Sequence, residues 1–147
     1  MAPLTLGTFH HIRLTVTDLE RSKAFYTEVL GFQVAMDTLP PEDDEFYGLL
    51  VDNLQGGIVL MNAGTFIGLR PCDSSRHADK DAFDPFRVGL DHMSWTVENR
   101  EVLEAAMAQL EERGIAHGGI TELTPFGIAL LPFKDPDGIQ LEICAPL

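Results

Sequence analysis

Three side chains of the kinds that bind metal ions recur at similar places in this chain of 147 residues. His11 stands in HIRLTV, His92 stands in HMSWTV, and Glu142 stands in IQLEIC near the end of the sequence. Each segment alternates between polar and apolar residues, a pattern that predicts a β-strand with one buried face. Imidazole and carboxylate groups are common metal ligands. They could act together here only if the fold directs all three strands to one cavity.

Alternation also decides which side chains share a face of each predicted strand, because successive residues of a strand point to opposite sides. The polar faces of the three strands carry, in turn, His11, Arg13 and Thr15; His92, Ser94 and Thr96; and Gln140, Glu142 and Cys144. Two such sheets that curve together would direct these side chains into one cavity, which we call the cup. His10 falls on the other face or in the lead-in to the strand, so His11 is the candidate of that pair.

Each histidine-bearing strand is followed by the signals of a helix and then of further strands. Asp18 and Asn99 are suited to cap the helices, and Gly31 and Gly114 are placed to end them. Further strands are expected at 32–36, 47–52, 57–61 and 66–70 in the first half, and at about 115–121, 126–133 and 139–144 in the second. A type I turn in KDPDG should join the last two strands.

These elements repeat with a period of about 80 residues, which predicts an internal duplication. We expect an α+β fold of two βαβββ modules whose antiparallel sheets curve into the cup around a metal site. Residues 1–147 would form a single domain, with module one at about 9–70, a polar linker at about 71–87 and module two at about 88–147.

The sequence resembles a known superfamily over about residues 9 to 145. HIRLTVTDLERSKAFYTEVLGF, DHMSWTVEN and DPDGIQLE are similar to the two modules of the vicinal oxygen chelate superfamily. Its members include glyoxalase I, methylmalonyl-CoA epimerase, fosfomycin-modifying enzymes, bleomycin-binding proteins and extradiol dioxygenases. The resemblance implies that His11, His92 and Glu142 are metal ligands. The fourth ligand position of the superfamily falls in TFIGLRP, where Gly68 and Arg70 offer no ordinary ligand.

Two histidines and one carboxylate leave up to three adjacent positions open in an octahedral site. This set favours Fe(II) and an extradiol-dioxygenase-like reaction on a small molecule with two vicinal oxygens. Mn, Zn or Ni acting as a Lewis acid in a glyoxalase-like lyase, isomerase or transferase is the alternative within enzymes. A non-catalytic drug-binding resistance protein is the alternative from another class.

Other polar residues are candidates for contact with the substrate. Arg13 and Arg70 could clamp a carboxylate or phosphate through paired hydrogen bonds. Thr15, Ser94 and Gln140 are further candidate contacts, and His77 and His117 could serve as bases if their segments fold over the cup. Trp95 and Phe126 are expected in the core.

Composition limits the partners and the compartment. The net charge of −13 disfavours nucleic acid and anionic membranes, which carry negative charge themselves. The sequence has two cysteines, shows no apolar run of membrane-spanning length and lacks a signal-peptide pattern, so a cytoplasmic location is expected. The resemblance implies a homodimer.

Overall fold

The computed structural model describes residues 4–75 and 82–147, so His77 lies outside the described residues. The chain divides into two compact units, Met1–Ala78 and Asp79–Leu147. Within the described residues, no helix is long and apolar enough to cross a membrane.

Unit 1 is a four-stranded sheet with its main helix against one face. Its elements are β1 (His11–Val16), α1 (Leu19–Ala24), a π-helical turn (Phe25–Val29), β2 (Gln33–Met36), α2 (Tyr47–Leu54), β3 (Ile58–Asn62) and β4 (Thr65–Pro71). The strand order is β1-β4-β3-β2.

Unit 2 repeats this arrangement. Its elements are β5 (His92–Thr96), α3 (Arg100–Glu112), β6 (Thr121–Leu123), a 3₁₀ turn (Thr124–Phe126), β7 (Ile128–Lys134) and β8 (Gln140–Pro146). The strand order β5-β8-β7-β6 is the same as in unit 1. The prediction of an α+β fold with two βαβββ modules is therefore confirmed.

The sheets differ from the expected antiparallel pattern in one respect. The first strand of each unit pairs in parallel with the last, β1 with β4 and β5 with β8, whereas the other pairs are antiparallel. The reason is that α1 and α3 carry the chain from the first strand of each unit to the second strand at the far edge of the sheet. The antiparallel strands that follow then bring the last strand beside the first, in the same direction.

The predicted helix ends and faces are also observed. Asp18 accepts a hydrogen bond from the backbone N–H of Arg21, and Asn99 accepts one from that of Val102, as N-caps do. Gly31 and Gly114 follow the two helices with φ of 70° and 66°. The apolar faces of the strands form the cores, whose residues with 0–1% exposure include Val16, Ile67, Leu69, Leu131 and Leu141.

The strand expected at 47–52 is wrong, because Tyr47–Leu54 forms helix α2. Its short apolar run fits a strand or a helix equally well, and no side chain of α2 is buried to distinguish them. In unit 2 the strand expected at about 115–121 begins only at Thr121, after a single bridge between His117 and Phe133.

Phe126 was expected in the core but is 76% exposed, because it ends the 3₁₀ turn before β7 instead of starting that strand. Trp95 is half-buried on β5.

Candidate metal centre

In unit 2, the two predicted ligands lie on the same face of neighbouring strands. In the parallel pairing of β5 with β8, His92 is opposite Gln140 and Ser94 is opposite Glu142. Because residues two apart share a face, all four side chains belong to one face. The other face carries Leu141, which is 1% exposed and packs in the core. His92 and Glu142 are thus diagonal neighbours on the polar face.

One oxygen of Glu142 is held by two neighbouring side chains. Ser94 Oγ donates to Glu142 Oε1 at 3.0 Å, and Cys144 Sγ donates to the same oxygen at 2.9 Å. Burial, followed by the hydrogen bond to Glu142, raises the pKa of the Cys144 thiol, so the thiol keeps the proton that it donates. Both donors fix the carboxylate through Oε1, and none of the described residues binds Oε2.

The ring of His92 is held from its other side. Asp91 Oδ1 contacts His92 Nδ1, and Asp91 was not among the predicted site residues. A histidine that binds a metal commonly donates its second ring N–H to a carboxylate, which fixes the tautomer and the orientation of the ring. With Nδ1 bound to Asp91, Nε2 is the atom of His92 that could accept a metal. In the sequence, the only available sign of this contact was that Asp91 directly precedes His92.

In unit 1, His11 lies on the polar face of β1. Its Nδ1 lies 2.9 Å from His10 Nδ1, so one of the two rings donates and the other accepts. The His10 ring stacks on Phe66, which is opposite His11 in the pairing of β1 with β4. His10 therefore supports the ring of His11 through Nδ1, and Nε2 of His11 is the corresponding atom for a metal.

The strand registers of the two units match, so they identify the residue of unit 1 that occupies the position of Glu142. Arg13 is opposite Gly68 in unit 1, just as Ser94 is opposite Glu142 in unit 2. A Cβ atom at Gly68 would lie only 3.1 Å from Arg13 Cγ, so the Arg13 side chain covers the position that a carboxylate would use. The counterpart of Glu142 in unit 1 thus provides no metal-binding atom.

The two predicted arginines and Thr15 form a cluster in unit 1. Arg70 Nε donates to Thr15 Oγ1 at 2.9 Å, and Arg70 Nη1 donates to Gln55 Oε1 at 2.6 Å. Arg13 Nη2 donates to the backbone oxygen of Leu54, the last residue of α2. These partners at the end of α2 were not predicted, because the segment 47–52 was expected to be a strand.

The remaining predicted residues are placed as follows. Gln140 is half-buried opposite His92. His117 is part-buried, accepts a hydrogen bond from the N–H of Gly119 at Nδ1, and places Nε2 3.6 Å from Glu111, so it supports its own loop. Among residues 4–75 and 82–147, no three His, Cys, Asp or Glu side chains form a metal-binding group. The set of three ligands, His11, His92 and Glu142, stays a prediction.

A cavity of about 500 Å³ lies in unit 1, and its wall includes Leu54 and Gln55, the hydrogen-bond partners of Arg13 and Arg70. Leu19 and Lys23 of α1, Asp37, Val51 of α2 and Ile58 contribute to its wall. Ile58 is opposite Leu69, which faces the core, so the cavity lies on the helix side of the sheet and not on the face of His11.

Comparison with known proteins identifies the family of the chain. Residues 8–143 match the model of the glyoxalase/bleomycin resistance protein/dioxygenase superfamily, and the chain belongs to that superfamily.

Individual relatives are similar to the chain over nearly its whole length. It is 31% identical to the uncharacterized protein YwkD of Bacillus subtilis, over 95% of this chain and 98% of that protein. It is 26% identical to a metapyrocatechase of Geobacillus stearothermophilus, over 90% of this chain but only 33% of that enzyme. A crystal structure of a glyoxylase/bleomycin resistance protein/dioxygenase domain from Frankia sp. EAN1pec aligns with a TM-score of 0.73 at 28% identity, over 97% of this chain and 94% of that one.

Proposed function

We propose that this protein is a metal-dependent enzyme that acts on a small molecule with two neighbouring oxygens. His11, His92 and Glu142 would be the metal ligands. The specific form of the proposal is an extradiol-dioxygenase-like activity. Membership of the superfamily supports the class of enzyme, and similarity to a metapyrocatechase supports the specific form.

The observation that carries the proposal is the hydrogen bonding of His92 and Glu142 on the β5–β8 face. His92 and Glu142 are diagonal neighbours, and each has one polar atom fixed by a neighbour, Asp91 in one case and Ser94 with Cys144 in the other. A histidine and a carboxylate whose other atoms are already hydrogen-bonded are typical of metal sites, where these bonds orient the ligands.

The number of ligands supports the dioxygenase form over a glyoxalase-like one. Gly68 stands at the counterpart of Glu142 and is covered by Arg13, so the residues provide three ligands. A divalent ion, with Fe(II) favoured and Mn, Zn or Ni as alternatives, would supply open positions for two substrate oxygens and, in the case of iron, for O₂. Proton transfer by a second glutamate, as the resemblance implies for glyoxalase I, has no corresponding residue at Gly68.

The protein's own residues would orient the ligands and the substrate. Ser94 and Cys144 hold Oε1 of Glu142, which directs Oε2 away from them. Asp91 holds the His92 ring in the tautomer with Nε2 available. Gln140 lies opposite His92 on the same face and is placed to contact a substrate beside it.

The test is the metal content of the protein after anaerobic purification and after reconstitution. The variants are His11→Ala and the double variant His92→Ala/Glu142→Ala. His117→Ala is the matched control, since it removes a histidine that supports its own loop. We expect near-stoichiometric iron in the native protein and in the control, loss of iron in the other variants, and oxygen uptake with catechol.

Other results would overturn the proposal in whole or in part. Binding of Mn, Zn or Ni with no oxygen uptake would favour Lewis-acid chemistry in a lyase, isomerase or transferase. No metal in the native protein, even after reconstitution, would overturn the metal-dependent enzyme and favour a non-catalytic ligand-binding protein.

A further inference from the structure

Two positive charges lie side by side on the polar face of unit 1 without a carboxylate partner among the described residues. Arg13 on β1 and Arg70 on β4 share this face, because Arg13 is opposite Gly68 and Thr15 is opposite Arg70. Their hydrogen-bond acceptors are all neutral: the backbone oxygen of Leu54 and the side chains of Thr15 and Gln55.

This lack of pairing is unexpected in a chain with 23 acidic and 10 basic residues. Other cations of the described structure do pair with acids: Lys23 binds Asp37 at 2.9 Å, and Arg100 binds Glu104 and Glu122 at 2.9 and 2.8 Å. The face around the two arginines carries His11, Thr15, Phe66 and Gly68 and no acid. An anion from outside the described structure could supply the missing negative charge beside the two arginines.

The acceptors bring the two guanidinium groups together. Leu54 and Gln55 are consecutive residues at the end of α2. Leu54 accepts a hydrogen bond from Arg13, and Gln55 accepts one from Arg70. A guanidinium has five N–H donors. The bonds described use one nitrogen of Arg13 and two of Arg70, so donors remain on both for an anion. The bonds to Thr15 and Gln55 fix the plane of Arg70 in advance, which lowers the entropy lost on binding.

Stabilisation of α2 accounts for only one of the two charges. A cation near a helix C-terminus interacts favourably with the helix dipole, and Arg13 fulfils that role by donating to the carbonyl of Leu54. Arg70 binds only side chains and adds a second, like charge at a neighbouring position, which is unfavourable for folding. A bound anion would offset this repulsion.

We propose that Arg13 and Arg70 form an anion-binding subsite for a carboxylate or phosphate group of the substrate. His11 lies on the same face, about 7 Å along the strand from the level of Arg13 and about 13 Å from that of Arg70, at roughly 3.3 Å per residue. If the proposed metal function holds, the substrate carries its two neighbouring oxygens at one end and an anionic group at the other. A spacer of about the size of an aromatic ring separates them.

The experiment measures binding by isothermal titration calorimetry, with probes that separate the anion from the chelating oxygens. Benzoate and phenyl phosphate test the anion subsite in metal-free protein and distinguish a carboxylate from a phosphate preference. Catechol and its carboxylated analogue protocatechuate test the metal-loaded protein. The variants are Arg13→Gln, Arg70→Gln, Arg70→Lys and the double Gln variant. Arg113→Gln is the matched control, because it removes the same charge from an arginine whose side chain binds, among the described residues, only the carbonyl of Gln109.

We expect the native protein to bind at least one of the two metal-independent probes. Each single Gln variant should weaken that binding by about 10- to 100-fold, as expected for loss of charged hydrogen bonds, whereas Arg113→Gln should leave it unchanged. Arg70→Lys should bind more weakly than native protein because it loses the paired geometry. In metal-loaded protein, the double variant should lose the preference for protocatechuate over catechol.

The two proposals fail in distinguishable ways. If His92→Ala/Glu142→Ala abolishes catechol binding and leaves benzoate or phenyl phosphate binding intact, both proposals stand. If the native protein binds no metal but binds these anions through the arginines, only the metal function fails. If neither benzoate nor phenyl phosphate binds, or if the double Gln variant binds them as tightly as the native protein, the anion subsite is overturned. Urea unfolding of Arg70→Gln should show no loss of stability, whereas a purely structural role would lower its midpoint.

Discussion

Ser94 Oγ lies 3.0 Å from Glu142 Oε1, across the parallel pairing of β5 with β8. Cys144 reaches the same oxygen from the strand of Glu142 itself, at 2.9 Å. Two residues that do not belong to the predicted ligand set therefore determine which carboxylate oxygen is available.

Substitution of Ser94 by alanine tests whether this hydrogen bond orients a metal ligand. The affinity for Co(II), a spectroscopic substitute for Fe(II), should fall by about 10- to 100-fold, because supporting hydrogen bonds to ligands typically contribute this much. Competition titration with a coloured chelator measures the change. Thr96→Val is the control, as it removes a hydroxyl from the same face of β5. Equal affinity of Ser94→Ala and native protein would contradict a supporting role for Ser94.

Substitution of Asp91 tests the support of His92. In Asp91→Ala the ring of His92 loses its carboxylate contact, so the Co(II) affinity should again fall by about 10- to 100-fold. Asp91→Asn keeps an acceptor for Nδ1–H without the charge, so its Co(II) affinity should lie between those of Asp91→Ala and the native protein. Glu98→Ala removes the same charge from an exposed position of unit 2 and should have no effect. A decrease as large in Glu98→Ala would mean that net charge, and not the contact, sets the affinity.

Asp135 is predicted to stabilise the turn that leads into β8. It is 5% exposed, and its Oδ1 accepts hydrogen bonds from the backbone N–H groups of Asp137 and Ile139 at 2.9 and 2.8 Å. Asp135→Ala leaves these donors without that partner and should lower the free energy of unfolding by about 1–3 kcal/mol. Urea denaturation checks this value. Asp135→Asn keeps an acceptor oxygen and should lose less free energy of unfolding. Equal losses in the two variants would exclude these hydrogen bonds as the cause of the destabilisation.

Local signals in the sequence predicted most of the fold. The helix caps Asp18 and Asn99 act on N–H groups three residues away, so their chemistry depends on a short segment alone. The turn after Asp135 closes as expected, with the N–H of Gly138 donating to the carbonyl of Asp135 at 3.0 Å. Helix α2 was missed because an apolar run of this length has no periodicity that separates a strand from a helix.

The sequence predicted which side chains of the candidate site share a strand face, but it did not predict which of them contact each other. Alternation along β5 and β8 is enough to group His92 with Ser94 and Glu142 with Cys144. The pairing of Ser94 with Glu142 depends instead on the register between strands that are 48 residues apart in sequence. Likewise, the contacts of Arg13 and Arg70 with the end of α2 required knowledge of where that helix ends. Long-range register and the ends of neighbouring elements are set by packing, which a single sequence does not display.

Gly68 offers a way to test the ligand count by rebuilding the pair of unit 2 in unit 1. The double variant Arg13→Ser/Gly68→Glu places serine opposite glutamate on β1 and β4, as Ser94 stands opposite Glu142 on β5 and β8. The substitution at Arg13 also removes the Cγ atom that would lie 3.1 Å from a Cβ at position 68. If His11 binds the metal, the new carboxylate on its face should become a fourth ligand. The Co(II) affinity should then rise by roughly tenfold, and oxygen uptake with catechol should fall because fewer positions remain open.

The single variants Arg13→Ser and Gly68→Ala separate the effect of the new carboxylate from those of the lost arginine and the added Cβ. Arg13→Ser should keep the native Co(II) affinity, and Gly68→Ala should do so if the flexible Arg13 side chain moves by a few tenths of an ångström. The visible spectrum of bound Co(II) gives an independent measure, since an added oxygen ligand changes its intensity. An unchanged affinity and spectrum in the double variant would show that Gly68 does not face the metal, and would remove the structural reason for a three-ligand site.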